Sequence, residues 1–98
     1  MKNQSNLKAI KIQKRIEFAL SAIRDIQGSH ILSGLNIEEM YSNNNRIIIP
    51  VKSEPVGINT YPYTLHLSMI NKIKSITKAC EIQFSHIHGD FRLNLYFD

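Results

Sequence analysis

The chain contains no tryptophan, a single cysteine, three prolines and four glycines in 98 residues. One cysteine cannot close an internal disulfide, so the fold has to rest on its apolar core. The glycines are scattered, at 28, 34, 57 and 89. They form no phosphate-cradling Gly-x-x-x-x-Gly-Lys loop, and no serine lies in a Gly-x-Ser-x-Gly elbow. Long apolar runs are missing as well, because Lys, Asn, Ser or Glu interrupts every hydrophobic stretch before the roughly 18–20 residues of a membrane helix. Nothing in Met1-Lys2-Asn3-Gln4-Ser5-Asn6 resembles the charged and then apolar start of a secretory signal. These absences predict a cytoplasmic protein in a reducing compartment, with no membrane partner.

What is present describes one globular domain spanning residues 1–98. Apolar residues make up 43% and charged residues 20%, far from the polar, highly charged composition of disordered chains. Twelve Lys and Arg against eight Asp and Glu leave a net charge of +4, which suits nucleic acid or an acidic protein as partner. The wealth of Ile, Asn and Lys is what AT-rich coding favours, as in many phage and plasmid genes.

Residues 6–27 read as an amphipathic helix with Ser5 or Asn6 as N-cap and Gly28 as a left-handed C-cap. At about 100° per residue, Ala9, Ile12, Ile16, Ala19, Leu20, Ile23 and Ile26 share one arc. Lys8, Lys11 and Arg15 line up beside that stripe, with Lys14 next to them, and Phe18 falls at this ridge, off the apolar arc. Glu17, Arg24 and Asp25 mix the signs further along, so the basic ridge belongs to the N-terminal half.

Two readings stay open for residues 36–41: Asn36 with Glu38 and Glu39 suits a capped short helix, while the alternation of Leu35, Ile37 and Tyr41 suits a strand. Ser42 to Asn45 reads as a polar loop, and Arg46 to Lys52 as a β-branched strand ended, or pushed to a sheet edge, by Pro50. Ser53 to Gly57 reads as a turn. Thr60 to Leu67 then alternates with Tyr61, Tyr63, Leu65 and Leu67 on one face, which predicts a hairpin over residues 46–67. Ser68 caps a second helix over 69–79, whose buried stripe is Met69, Ile70, Ile73, Ile76 and Cys80. From Glu81 to Asp98 the period returns to two. The predicted fold is α+β: a two-layer sandwich with two helices on one face of a mostly antiparallel four-stranded sheet, in the order α-β-β-α-β-β. Moving the first strand of a ferredoxin-like βαββαβ sandwich to the C-terminus produces that order.

Residues 85–91, Ser-His-Ile-His-Gly-Asp-Phe, hold the one motif with metal chemistry in it. His86, His88 and Asp90 resemble the opening of the His-x-His-x-Asp-His zinc motif of metallo-β-lactamase-fold hydrolases. The resemblance implies zinc ligation at those three positions. It departs from the family at Phe91, which stands where a histidine ligand belongs, and few residues follow to supply the later ligands. The competing reading is a hairpin. With Gly89-Asp90 as a two-residue loop, His88 faces Phe91, His86 faces Leu93, Phe84 faces Leu95 and Ile82 faces Phe97, so one face collects the apolar residues. On that reading no metal or cofactor is called for. A metal would need His86 and His88 plus a third ligand, of which His66 is one candidate.

Cys80 on a buried helix stripe reads as a small core residue, and adjacent Glu38 and Glu39 point apart, so no catalytic constellation emerges. The expected function is a small non-enzymatic binding or regulatory protein. It would act on nucleic acid or a nucleic-acid complex through Lys8, Lys11, Lys14 and Arg15. The alternative is a protein-interaction module, such as a phage-type or mobile-element inhibitor, chaperone or subunit, using a sheet edge or the helix face at Phe18; a homodimer is one form of it. A metal-dependent enzyme at His86 and His88 is a distant third.

Overall fold

The computed structural model describes residues 2–52, 67–87 and 90–98. Helix α1 runs over Lys2–Asp25. It ends at Asp25, two residues short of the predicted 27, and the turn that follows closes at Gly28, which takes φ 93°, the left-handed angle that costs glycine nothing. Its start is earlier than the Ser5 or Asn6 cap predicted. Two single turns of 3-10 helix follow, His30–Leu32 and Ile37–Glu39, the first held by Ser29, whose Oγ accepts from the Ile31 N–H.

Of the two readings of residues 36–41 the short helix forms, as a single 3-10 turn, and the strand begins only at Tyr41 and runs into Ser42 and Asn43, which the sequence reads as loop. The second 3-10 turn ends at Met40, whose backbone is extended, and strand β1 then covers Tyr41–Asn43. Asn44 adopts φ 56° and turns the chain into β2, Arg46–Pro50. The first hairpin among the described residues spans 41–50; of the strand expected over 60–67, residues 60–66, with Tyr61, Tyr63 and His66, lie outside the described residues, and Leu67 opens the second helix instead. Pro50 ends β2 without moving it to an edge, since β2 pairs with β1 on one side and with β4 on the other.

Helix α2 spans Leu67–Thr77. It ends two residues earlier than predicted because Lys78 takes φ 59° and breaks the helical path. Cys80 is therefore not a core residue of the helix. It is exposed just before the next strand, with its N–H donating to the Tyr96 carbonyl at 2.8 Å. Thr77 occupies the buried position instead, and its hydroxyl donates back to the Ile73 carbonyl at 2.7 Å. That bond satisfies a hydroxyl the helix would otherwise bury unpaired.

Strands β3, Glu81–Ile87, and β4, Asp90–Tyr96, form the C-terminal hairpin. The face assignment is as expected, with Ile82 and Phe84 on the same side as Phe91, Leu93 and Leu95. The register is not. Ile87 pairs with Asp90, His86 with Phe91, Phe84 with Leu93 and Ile82 with Leu95, so each β3 residue sits two places from its predicted partner. His88 and Gly89, outside the described residues, fall between the paired ends.

The sheet order is β1-β2-β4-β3, antiparallel throughout. It is the order a ferredoxin-like sandwich acquires when its first strand is moved to the chain's end. One face of the sheet presents Ile47, Ile49, Leu93 and Leu95 to Ile16, Ala19 and Ile23 of α1 and Ile73 of α2, with Leu32, Leu35 and Phe97 closing the core. This is the two-layer α+β sandwich. On the other face Asn94 is buried and its amide donates to Ser85 Oγ at 3.0 Å.

Helix α1 is longer than the sheet it covers. Twenty-four residues make about 36 Å of helix, whereas the seven-residue strands reach roughly 23 Å. Even aligned with the strands, about nine residues at one end reach past them, and there Lys8, Ala9, Ile12 and Gln13 share a shallow cleft with Asn44, Asn45, Phe97 and Asp98. Burial agrees: every residue from Leu7 to Arg15 is exposed except half-buried Ile12, and the core begins at Ile16.

Candidate binding face on the first helix

The overhanging half of α1 is where charge and exposure coincide. From Lys2 to Ile16 the chain has five basic residues, Lys2, Lys8, Lys11, Lys14 and Arg15, and no acidic one before Glu17. No carboxylate sits in the first turn either. The positive end of the helix dipole therefore adds to the basic side chains of this segment.

The predicted ridge separates into two rows. Leu7, Lys11, Lys14 and Phe18 follow one another at four, three and four residues along the helix face opposite the core stripe. All four are exposed, Leu7 at 57% and Phe18 at 50%, and Ile10 beside them at 50%. Lys8 and Arg15 form the second row, turned toward the C-terminal residues. There the Arg15 guanidinium donates to the Asp98 carbonyl, and Phe97 in turn donates its N–H to the Asn45 carbonyl at 2.8 Å. Arg15 thus pins α1 to the β1–β2 turn at the point where the overhang begins. It is spoken for, while Lys8, Lys11 and Lys14 are exposed, Lys8 beside the cleft that Asp98 also lines.

Lys78, just past the end of α2, belongs to this surface as well. The left-handed turn that ends α2 brings its Nζ to 5.2 Å from the centroid of the Phe18 ring, a cation–π contact. Nothing in the spacing of residues 18 and 78 announces that contact. The exposure of Leu7 and Ile10 is the other feature not anticipated; their neighbour Ile12 lies on the core stripe, and only the reach of the sheet decides which apolar residues of a long helix are covered.

Helix α2 and the turn that ends it add exposed Lys72, Lys74 and Lys78, whereas the clefts elsewhere mix the signs. Glu39, Asp90, Lys52 and Arg92 line one shallow cleft at the end of the sheet, two of each sign. A second cleft, along Gln27 to Leu35, carries His30, Glu38 and Lys52. Neither offers a field of one sign.

The metal-motif residues are dispersed differently. His86 is exposed on β3, with its ring stacked on Phe91 at 4.4 Å and 18°. His88 and His66 lie outside the described residues. Among the described residues no three His, Cys, Asp or Glu side chains gather as metal ligands, and no helix is long and apolar enough to cross a membrane. No protein-family model, no curated protein and no solved structure matches this chain, so the meaning of the α1 face has to be argued from its own chemistry.

Proposed function

We propose that the protein is a non-enzymatic binding protein that engages nucleic acid, single strands above duplex, through the outer face of α1. The observation that carries this reading is the exposed row of Lys11, Lys14 and Phe18, flanked by Lys8 and joined by Lys78. A line of lysines follows a phosphate backbone without reading sequence, and an exposed aromatic ring beside it gives a base a surface to stack on. Single strands use both; a duplex uses only the lysines.

Two substitutions test the reading by fluorescence anisotropy with a labelled oligothymidylate and its duplex. Each phosphate neutralised on a single strand carries a salt exponent of about 0.7, worth roughly fivefold in affinity at 0.1 M salt. Replacing Lys8, Lys11 and Lys14 by glutamine should then lower affinity about a hundredfold for the single strand and about five hundredfold for the duplex, whose exponent is about 0.9. Phe18→Ala should cost the single strand about 1–3 kcal/mol and leave the duplex nearly unchanged. Equal affinity in wild type and the triple variant would leave the lysines as solvated surface.

A second reading has its own observation. Leu7 and Ile10 expose more apolar surface than a phosphate backbone can use. An acidic protein partner with apolar pockets would cover them. Leu7→Gln with Ile10→Gln separates the two, since it should spare nucleic-acid binding and abolish capture of such a partner.

A further inference from the structure

Among the described residues the sheet has one short edge and one long one. Strand β1 closes one side with three residues, whereas β3 runs for seven along the other. Edge strands are normally blunted by lysine, proline, a bulge or brevity, because unpaired N–H and C=O groups recruit another strand. In Glu81-Ile82-Gln83-Phe84-Ser85-His86-Ile87 the single charged residue is Glu81 at one end, and there is no lysine or proline. Phe84, at the middle, is 49% exposed.

The outward groups of β3 follow from the ladder. The Val51 N–H donates to the Phe91 carbonyl at 2.9 Å, so Phe91 turns its backbone groups toward β2. In a regular antiparallel sheet this direction alternates along a strand. Leu93 and Leu95 then also face β2, and Arg92, Asn94 and Tyr96 face β3; the Cys80 N–H on the Tyr96 carbonyl agrees. Their partners on β3 are Ser85, Gln83 and Glu81. Among the described residues, Ile82, Phe84 and His86 are left to point their N–H and C=O groups out of the sheet.

We propose that this edge is a homodimer interface in which β3 pairs antiparallel with β3 of a second copy about a two-fold axis at Phe84. A two-fold contact must be self-complementary, and this register is. Phe84 falls opposite Phe84 of the second copy and Ile82 opposite His86, so every outward N–H meets an outward C=O. A register displaced by two residues leaves one of the three residues unmatched. The side chains agree as well: the two Phe84 rings cover each other on the helix side, while Gln83 meets Ser85 on the far side. The two Glu81 carboxylates lie at opposite ends and do not repel. The result is one continuous eight-stranded sheet. An unrelated extended peptide on the same edge would have none of this self-matching.

The test is sedimentation equilibrium on the wild type and on Phe84→Pro, which removes an outward N–H without touching the ladder to β4. A concentration-dependent dimer is expected for the wild type and only monomer for Phe84→Pro, with unchanged circular dichroism. Disulfide trapping supplies the register and does not depend on the proline variant folding. In a hydrogen-bonded antiparallel pair the facing Cα atoms are about 5.5 Å apart, inside the roughly 4.4–6.8 Å span of a disulfide. With Cys80→Ser as background, Phe84→Cys should cross-link rapidly on mild oxidation, and Ser42→Cys on the opposite edge should not. A monomeric wild type, a dimer that persists in a folded Phe84→Pro variant, or cross-linking at Ser42 as fast as at Phe84 would each overturn the proposal.

Discussion

Alanine in place of Ile16 should cost far more stability than alanine in place of Ile10, although residue type, helix and substitution are the same. Ile16 is 1% exposed, packed in the core under α1, while Ile10 is 50% exposed on the overhang. Removing the buried side chain forfeits its transfer free energy and leaves a cavity, about 2–5 kcal/mol. At Ile10 a smaller loss of contact is offset by alanine's better helix propensity, leaving a change within about 0.5 kcal/mol. A domain of this length has roughly 5–15 kcal/mol in total. Ile16→Ala therefore removes a large fraction of stability, and Ile10→Ala almost none. In urea, with a slope of about 1.5 kcal/mol per M, a loss of 3 kcal/mol moves the midpoint by about 2 M. Circular dichroism at 222 nm is the natural probe, as the chain lacks tryptophan. Equal midpoint shifts for the two variants would refute the overhang, and with it the exposure on which the binding face depends.

Two further perturbations test local geometry. Asn44 turns the first hairpin at φ 56°, so Asn44→Val should destabilise by about 1–2 kcal/mol while Asn44→Gly stays near neutral, read from thermal midpoints. Thr77→Val removes the hydroxyl that donates to the Ile73 carbonyl and accepts from the Ala79 N–H at 3.4 Å; a loss of about 1–2 kcal/mol in urea unfolding is expected, and no loss would mean that the bond contributes nothing net.

The layered architecture was legible because each helix and the last two strands carry a clean period, 3.6 or two, and apolar faces of that kind have few ways to be buried together. Register was not. Sliding β3 by two residues against β4 keeps Ile82 and Phe84 on the helix side, so hydrophobic patterning cannot distinguish the predicted pairing from the observed one. The loop decides, and the pairing of Ile87 with Asp90 makes it one residue earlier than Gly89-Asp90. Strand β1 was invisible for a different reason: Tyr41, Ser42 and Asn43 are all exposed, and three residues set no period. Of the binding face, the lysines could be read from spacing. The engagement of Arg15 by Asp98 and the arrival of Lys78 over Phe18 are long-range contacts between segments with no pattern linking them.

The most direct test of the α1 face is the salt dependence of nucleic-acid binding. If Lys8, Lys11, Lys14 and Lys78 each neutralise one phosphate of a single strand, log K should fall against log salt with a slope of about −2.8. Glutamine at Lys8, Lys11 and Lys14 together should flatten that slope to about −0.7. A slope near zero in the wild type, or one left unchanged by the triple substitution, would contradict the account.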